Sequence, residues 1–250
     1  ASFTQVLGAW HRGLTAHLGS GVVAAINEGT AINLNDSSDF HIGNVLAGSA
    51  SMLSDSHAHG VGQRIAGSVE GEFVGTAPDA NVKWVNGNNT GMDITNWSVG
   101  MGNASYSGQW DVAEVRTGRN GLGTVWVIAA GNASDGNTAL LTTTKNPTTI
   151  TVASVDNATG ELAGFSSHGQ AVWVAHPGWG GTSHAAPAVA GQVALMLEAN
   201  PGLGVRDVKN ILAMSATYYT TATPLNSFEL NHARHLNGAG MHFSNELGFG

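Results

Sequence analysis

The chain has 250 residues, of which 42% are hydrophobic, only 10% are charged and 35 are glycine, a composition that supports a sizeable apolar core joined by tight turns and excludes a charge-rich disordered segment. Nine basic against seventeen acidic residues give a formal charge of −8, which argues against a nucleic-acid partner, whose phosphates require Lys and Arg. The absence of Cys excludes disulfides, thiol nucleophiles and Cys-ligated zinc, and no apolar run reaches the roughly 20 residues of a membrane span.

Residues 1–5 lack the basic stretch followed by an apolar one that marks a signal peptide, so none is expected at this start. Residues 22–26 form the first apolar run, Val-Val-Ala-Ala-Ile, and end in Asn27-Glu28-Gly29. A second run, 82–85, ends in Asn86-Gly87. Residues 109–119 carry Trp110, Val112, Ala113 and Val115 against polar partners, a helical pattern. Three more strand-like runs follow at 124–129, 149–155 and 172–174, the first ending in Ala130-Gly131-Asn132. A helix is expected over 183–200, rich in Ala, Val, Leu and Met and stopped by Asn200-Pro201. Another, over 205–215, sets Val205, Val208, Ile211 and Leu212 on one stripe.

Strand runs that do not alternate apolar with polar are covered on both faces, as in a parallel sheet. Alternation of such strands with helices predicts an α/β fold: a three-layer, doubly wound sandwich with a mostly parallel sheet and helices on both faces. All 250 residues are read as one domain. Sites in such sheets lie past the carboxyl ends of the strands, which directs attention to the turns at Asn27 and Asn132.

Three strings carry chemistry. Gly181-Thr182-Ser183-His184-Ala185-Ala186-Pro187-Ala188-Val189-Ala190-Gly191 puts Ser183 at the start of a buried helix, where unpaired N–H groups can stabilise an oxyanion. Asp55-Ser56-His57-Ala58-His59-Gly60 supplies imidazoles close to a helix start. Val127-Ile128-Ala129-Ala130-Gly131-Asn132 ends a strand on a carboxamide that can donate to an oxyanion. Taken singly, Ser183 could be a helix cap, His59 a turn histidine or half of a His-x-His metal pair, and Asn132 a polar turn residue.

Together, and in their order along the chain, the strings resemble the subtilisin-like serine proteases, with the nearest likeness to the kexin-like branch. Ser183 lies in a match to Gly-Thr-Ser-x-Ala-x-Pro, His59 in a match to the family's His-Gly motif, and Asn132 in a match to Ala-Ala-Gly-Asn. The resemblance implies a serine endopeptidase: Ser183 attacks the peptide carbonyl, His59 acts as general base, and Asn132 with the Ser183 N–H holds the oxyanion. It also implies that Ser98, Val99 and Gly100, with Ala130 and Gly131, line the substrate, a polypeptide. No cofactor is implied for the chemistry. Secretion is implied, and the tail from Gly238 to Gly250 resembles the stretch that leads into a β-rich companion domain.

One position departs from the pattern. The family has Asp at the end of the first core strand, and this chain has Asn27. A neutral carboxamide can bond the imidazole but cannot stabilise an imidazolium, and the comparable change in a chymotrypsin-type triad lowers turnover about 10⁴-fold, or roughly 5.5 kcal/mol. A protease-like binding or scaffold module is therefore the alternative expectation. Glu28 is adjacent, but alternation along a strand would point it away. Asp36 matches a calcium-binding Asp of subtilisin relatives. Met101-Gly102-Asn103-Ala104 lacks the acids with which kexin-like enzymes select basic residues, so dibasic specificity is not expected. An esterase of the α/β-hydrolase type would need Gly-x-Ser-x-Gly, which the Ser183 string does not supply.

Overall fold

The computed structural model describes residues 17–28, 45–46, 56–69, 73–85, 90–99, 116–136, 144, 146–216, 235–236 and 238–250. The expected residues Asp36 and Gly100, and positions 109–115 of the expected helix, lie outside them.

The β-branched runs form a six-stranded sheet: β1 (Val23–Asn27), β4 (Asn81–Val85), β5 (Ile94–Trp97), β6 (Val125–Ala129), β7 (Ile150–Val155) and β8 (Val172–Pro177). A two-stranded ribbon of β2 (Ser68–Val69) and β3 (Phe73–Val74) lies between β1 and β4 in the chain. The sheet order is β4-β1-β5-β6-β7-β8, and every pairing in it is parallel. Registers such as Ile26 opposite Trp84 and Asn96 align the carboxyl ends of β1, β4 and β5 on one rim. The chain runs from β1 outward to β4, then crosses to β5 on the other side of β1. The strand order thus reverses between β1 and β5, the place where such sheets open a crevice.

The helices that lie wholly among the described residues are α1 (Ser56–Ala66), α2 (Thr182–Ala199) and α3 (Val205–Ser215). In α1, Ala58, Val61 and Ile65 are fully buried at i, i+3 and i+7, the stripe an inward face requires. Helix α2 is apolar nearly all round, as a helix between sheet and helix must be, and packs on β5 to β8 and on α1. The spacing of Val205, Val208 and Leu212 buries one face of α3, whereas Ile211, expected on the same stripe, is 38% exposed at its edge; α3 spans the residues expected. Ala24, Ile26, Val125, Val127, Ile150 and Val152 form one core with these helices. The opposite sheet face carries separate clusters, Ala25 with Val85 and Met92, and Trp97 with Trp126 and Ile128. Burial on both faces explains why the runs do not alternate.

Beyond the sheet, α3 is tied to β7 and β8 by Lys209. Its ammonium donates to the carbonyls of Pro147 and Thr149, both at 2.7 Å, and lies 3.9 Å from the Trp173 ring centre. The tail adds the short pair β9 (His235–Leu236) and β10 (His242–Phe243). Of the helix expected over 109–119, the described residues 116 and 117 are helical, and a 3₁₀ turn, Gly118–Gly121, follows them, where Arg119 and Asn120 take positive φ.

Candidate active site

Ser183 is the second residue of α2. Its helix begins at Gly181, extended at φ 178° and ψ 147°, which offers no side-chain cap. The first N–H groups of the helix must therefore find partners elsewhere. That of Thr182 donates to Asn132 Oδ1 at 2.9 Å, and that of His184 to the Gly181 carbonyl at 3.0 Å. Pro187, one turn on, has no N–H to give to the Ser183 carbonyl. The Ser183 hydroxyl donates to the Ser98 carbonyl at 2.8 Å, so residues 85 positions apart meet across the rim beyond β5. Asn96, fully buried on β5, donates from Nδ2 to Ser98 Oγ at 2.9 Å and fixes that turn.

Asn132 is held from the α2 side. Its Oδ1 accepts from the Thr182 N–H and the Thr182 hydroxyl, each at 2.9 Å, and the same hydroxyl accepts from the Gly131 N–H at 3.1 Å. With the carbonyl end of the amide committed twice, the Nδ2 end is left to face outward, and it lies 3.5 Å from where a Cβ on Gly181 would sit. Gly131 has φ +106°, and a Cβ there would lie 3.2 Å from Ser167 Oγ, so the turn that aims Asn132 admits only glycine without strain. The sequence offered no sign that Thr182 is the clamp; its place between Gly181 and Ser183 was the only available pointer.

The expected substrate-lining residues hold internal bonds. Ala130, fully buried, donates its N–H to Val152 O at 3.0 Å. The Val99 carbonyl accepts from the Trp97 indole at 2.8 Å, and the Gly131 carbonyl accepts from the Ser167 N–H at 2.8 Å.

Asn27 is buried as the last residue of β1. Glu28, immediately past the strand, is 1% exposed, and its Oε2 lies 2.9 Å from Nδ1 of His57. His57 sits one residue into α1 and its side chain is 40% exposed. The His57 and His184 rings stack 6.3 Å apart at 27°. Gly60, one turn beyond His57, faces the same neighbour: a Cβ there would lie 3.8 Å from His184 Nε2. His59 is half-buried on the same helix, two residues from His57, and positions two apart do not share a helix face. Burial, together with the nearby Arg64 guanidinium, holds the His184 imidazole below its ordinary pKa. The Arg64 guanidinium carbon stands 5.5 Å over the half-exposed Trp179 ring, at the edge of the site.

Among the described residues no group of three or more His, Asp or Glu is placed to hold a metal ion, and Asp36, on which the calcium expectation rests, lies outside them. No described helix is long and apolar enough to cross a membrane. A cavity of about 370 Å³ lined by Asp93, Arg119 and Glu198 opens at the opposite end of the strands. There Arg119 is bonded to the carbonyls of Leu203 and Pro201 and paired with Asp93, an arrangement that holds loops together.

Residues 20–250 match the model of the subtilase family, Peptidase_S8. Subtilisin E of Bacillus subtilis is 33% identical over 153 residues, covering 55% of this chain and 38% of the relative. Mouse proprotein convertase subtilisin/kexin type 7 is 32% identical over 163 residues, covering 54% and 20%. The chain thus spans well under half the length of these relatives. Among solved structures, the Aeromonas sobria serine protease in complex with the chaperone superposes with a TM-score of 0.77 at 21% identity, covering 98% of this chain and 60% of that one. A cold-adapted subtilisin-like serine proteinase gives 0.65 at 24% identity, covering 83% and 86%.

Proposed function

The chain belongs to the subtilase family, and from that premise we propose that it is a serine endopeptidase acting on polypeptides with Ser183 as nucleophile. The observation that carries this reading is the Ser183 hydroxyl at the start of α2, 2.8 Å from the Ser98 carbonyl, with Asn132 clamped alongside through Thr182. In the reaction Ser183 Oγ bonds to the scissile carbonyl carbon while an imidazole of α1 takes its proton; the motif nominates His59. Negative charge then builds on the former carbonyl oxygen. Asn132 Nδ2 and the Ser183 N–H donate to it, and donors fixed beforehand spend no energy reorienting. The imidazole returns the proton to the leaving amine as the C–N bond breaks, and water repeats the sequence on the acyl-enzyme.

The family likeness further supports action outside the cytoplasm and a companion domain following this one. The test is hydrolysis of a quenched-fluorescent peptide library. The protein cleaves members of the library and Ser183→Ala abolishes cleavage; cleavage that survives Ser183→Ala rejects the assignment.

A further inference from the structure

We propose that Glu28 and His57 form the acid–base couple serving Ser183, with Glu28 as the positioning carboxylate that Asn27 cannot be and His57 as the base. The inference rests on the peptidase reading and assigns that site's proton chemistry to two residues the motif does not nominate.

Strand alternation would turn Glu28 away from Asn27's side, but β1 stops at Asn27, so the rule no longer governs the next residue. Glu28 turns inward, is buried to 1% exposure, and puts Oε2 2.9 Å from His57 Nδ1. An ionised carboxylate can only accept. Nδ1 therefore carries a ring proton, which in the neutral ring leaves the lone pair on Nε2, the tautomer that a base for a hydroxyl requires. The ring is not sealed beneath the fold: its side chain is 40% exposed. It also lies on the nucleophile's side of α1, since it stacks on His184, the residue that follows Ser183. Glu28 thereby restores a negative charge beside the imidazole, the element lost with Asn27, from one residue further along and with one more methylene of reach.

The step balances without another reactant. Ser183 Oγ–H leaves its bond to the Ser98 carbonyl by rotation about χ1. Oγ then bonds to the carbonyl carbon as its proton passes to His57 Nε2. The imidazolium is held against Glu28 until the proton passes to the amide nitrogen and the C–N bond breaks.

The test is steady-state turnover of the best library peptide by Glu28→Gln, Glu28→Asp, His57→Asn and His59→Asn, each checked for an unchanged melting profile. A positioned base contributes about 10²–10⁴-fold. Glu28→Gln and His57→Asn are therefore expected to lower kcat at least about 100-fold with KM nearly unchanged, Glu28→Asp to recover about a tenth of the wild-type rate or more, and His59→Asn to cost far less. In the ¹⁵N spectrum of Ser183→Ala, His57 shows a protonated Nδ1 and a bare Nε2, and Glu28→Gln disturbs that tautomer, a change that mere loss of packing would not cause. Wild-type kcat in Glu28→Gln and His57→Asn, with collapse in His59→Asn, overturns the proposal and leaves Ser183 as nucleophile. A wild-type chain that cleaves nothing overturns the peptidase reading and this inference with it.

Discussion

His176 makes the stability of this fold depend on acid. It lies at an inward position near the end of β8, 5% exposed, with Nδ1 3.0 Å from the Pro177 carbonyl. Enclosure disfavours the imidazolium and pushes the pKa down to about 4 from the ordinary 6.5. The folded value is thus the lower one. Above pH 6.5 neither state is protonated and the packing is kept in full. As pH falls from 6.5 toward 4 the unfolded chain takes a proton that the folded chain refuses, and stability is lost. At roughly 1.4 kcal/mol per pH unit, the loss by pH 4.5 is about 2.5 kcal/mol, and about 3 kcal/mol when complete. The perturbation is His176→Leu in a Ser183→Ala background, which prevents self-cleavage from obscuring the readout. Leucine leaves the Pro177 carbonyl short of a donor, a cost of about 1–3 kcal/mol, but that cost does not vary with pH. Urea unfolding at pH 8 and at pH 4.5 therefore gives the quantity sought as a difference of differences. The histidine protein should lose about 2.5 kcal/mol more than the leucine protein across that interval. Equal losses would refute the claim that a buried neutral imidazole sets the acid limit.

Three further outcomes are expected. Asn132→Asp keeps the acceptor that clamps Thr182 but removes the amide donor; kcat should fall by at least about 10²–10³, the magnitude already measured for the corresponding donor in a subtilisin, while the melting temperature stays within a few degrees. Gly131→Ala forces a Cβ to 3.2 Å from Ser167 Oγ at φ +106°, a strain of about 1–2 kcal/mol, so it should lower both the melting temperature and kcat by turning Asn132 away. Lys209→Met removes two charge-assisted bonds to the carbonyls of Pro147 and Thr149, at about 1.5–3 kcal/mol each before relief of desolvation; calorimetry should show a loss of about 2–4 kcal/mol.

The sheet was legible in the sequence because a strand buried on both faces leaves a run with no polar interruption, as in Val125-Trp126-Val127-Ile128. Helices α2 and α3 were legible because Asn200-Pro201 ends one and the stripe of Val205, Val208 and Leu212 defines the other. The nucleophile string was legible because Gly181, Ser183 and Pro187 each answer a local demand of one helix start. What could not be read was anything that depended on where a strand stops. Alternation turns Glu28 away only if β1 continues through it, and a strand that stops at Asn27 frees it to meet His57. Thr182 was hidden for another reason: its hydroxyl acts on residues 50 positions away, and no local pattern encodes that. The run at 172–174 likewise concealed that β8 continues to Pro177 and buries His176.

The most direct test of Ser183 as an activated nucleophile is the intact mass of the protein after treatment with a fluorophosphonate, followed by peptide mapping. The geometry predicts one adduct per chain, on Ser183, absent in Ser183→Ala and absent after unfolding in urea. A folded protein that gains no adduct between pH 6 and pH 10, or gains it on another serine, would contradict it.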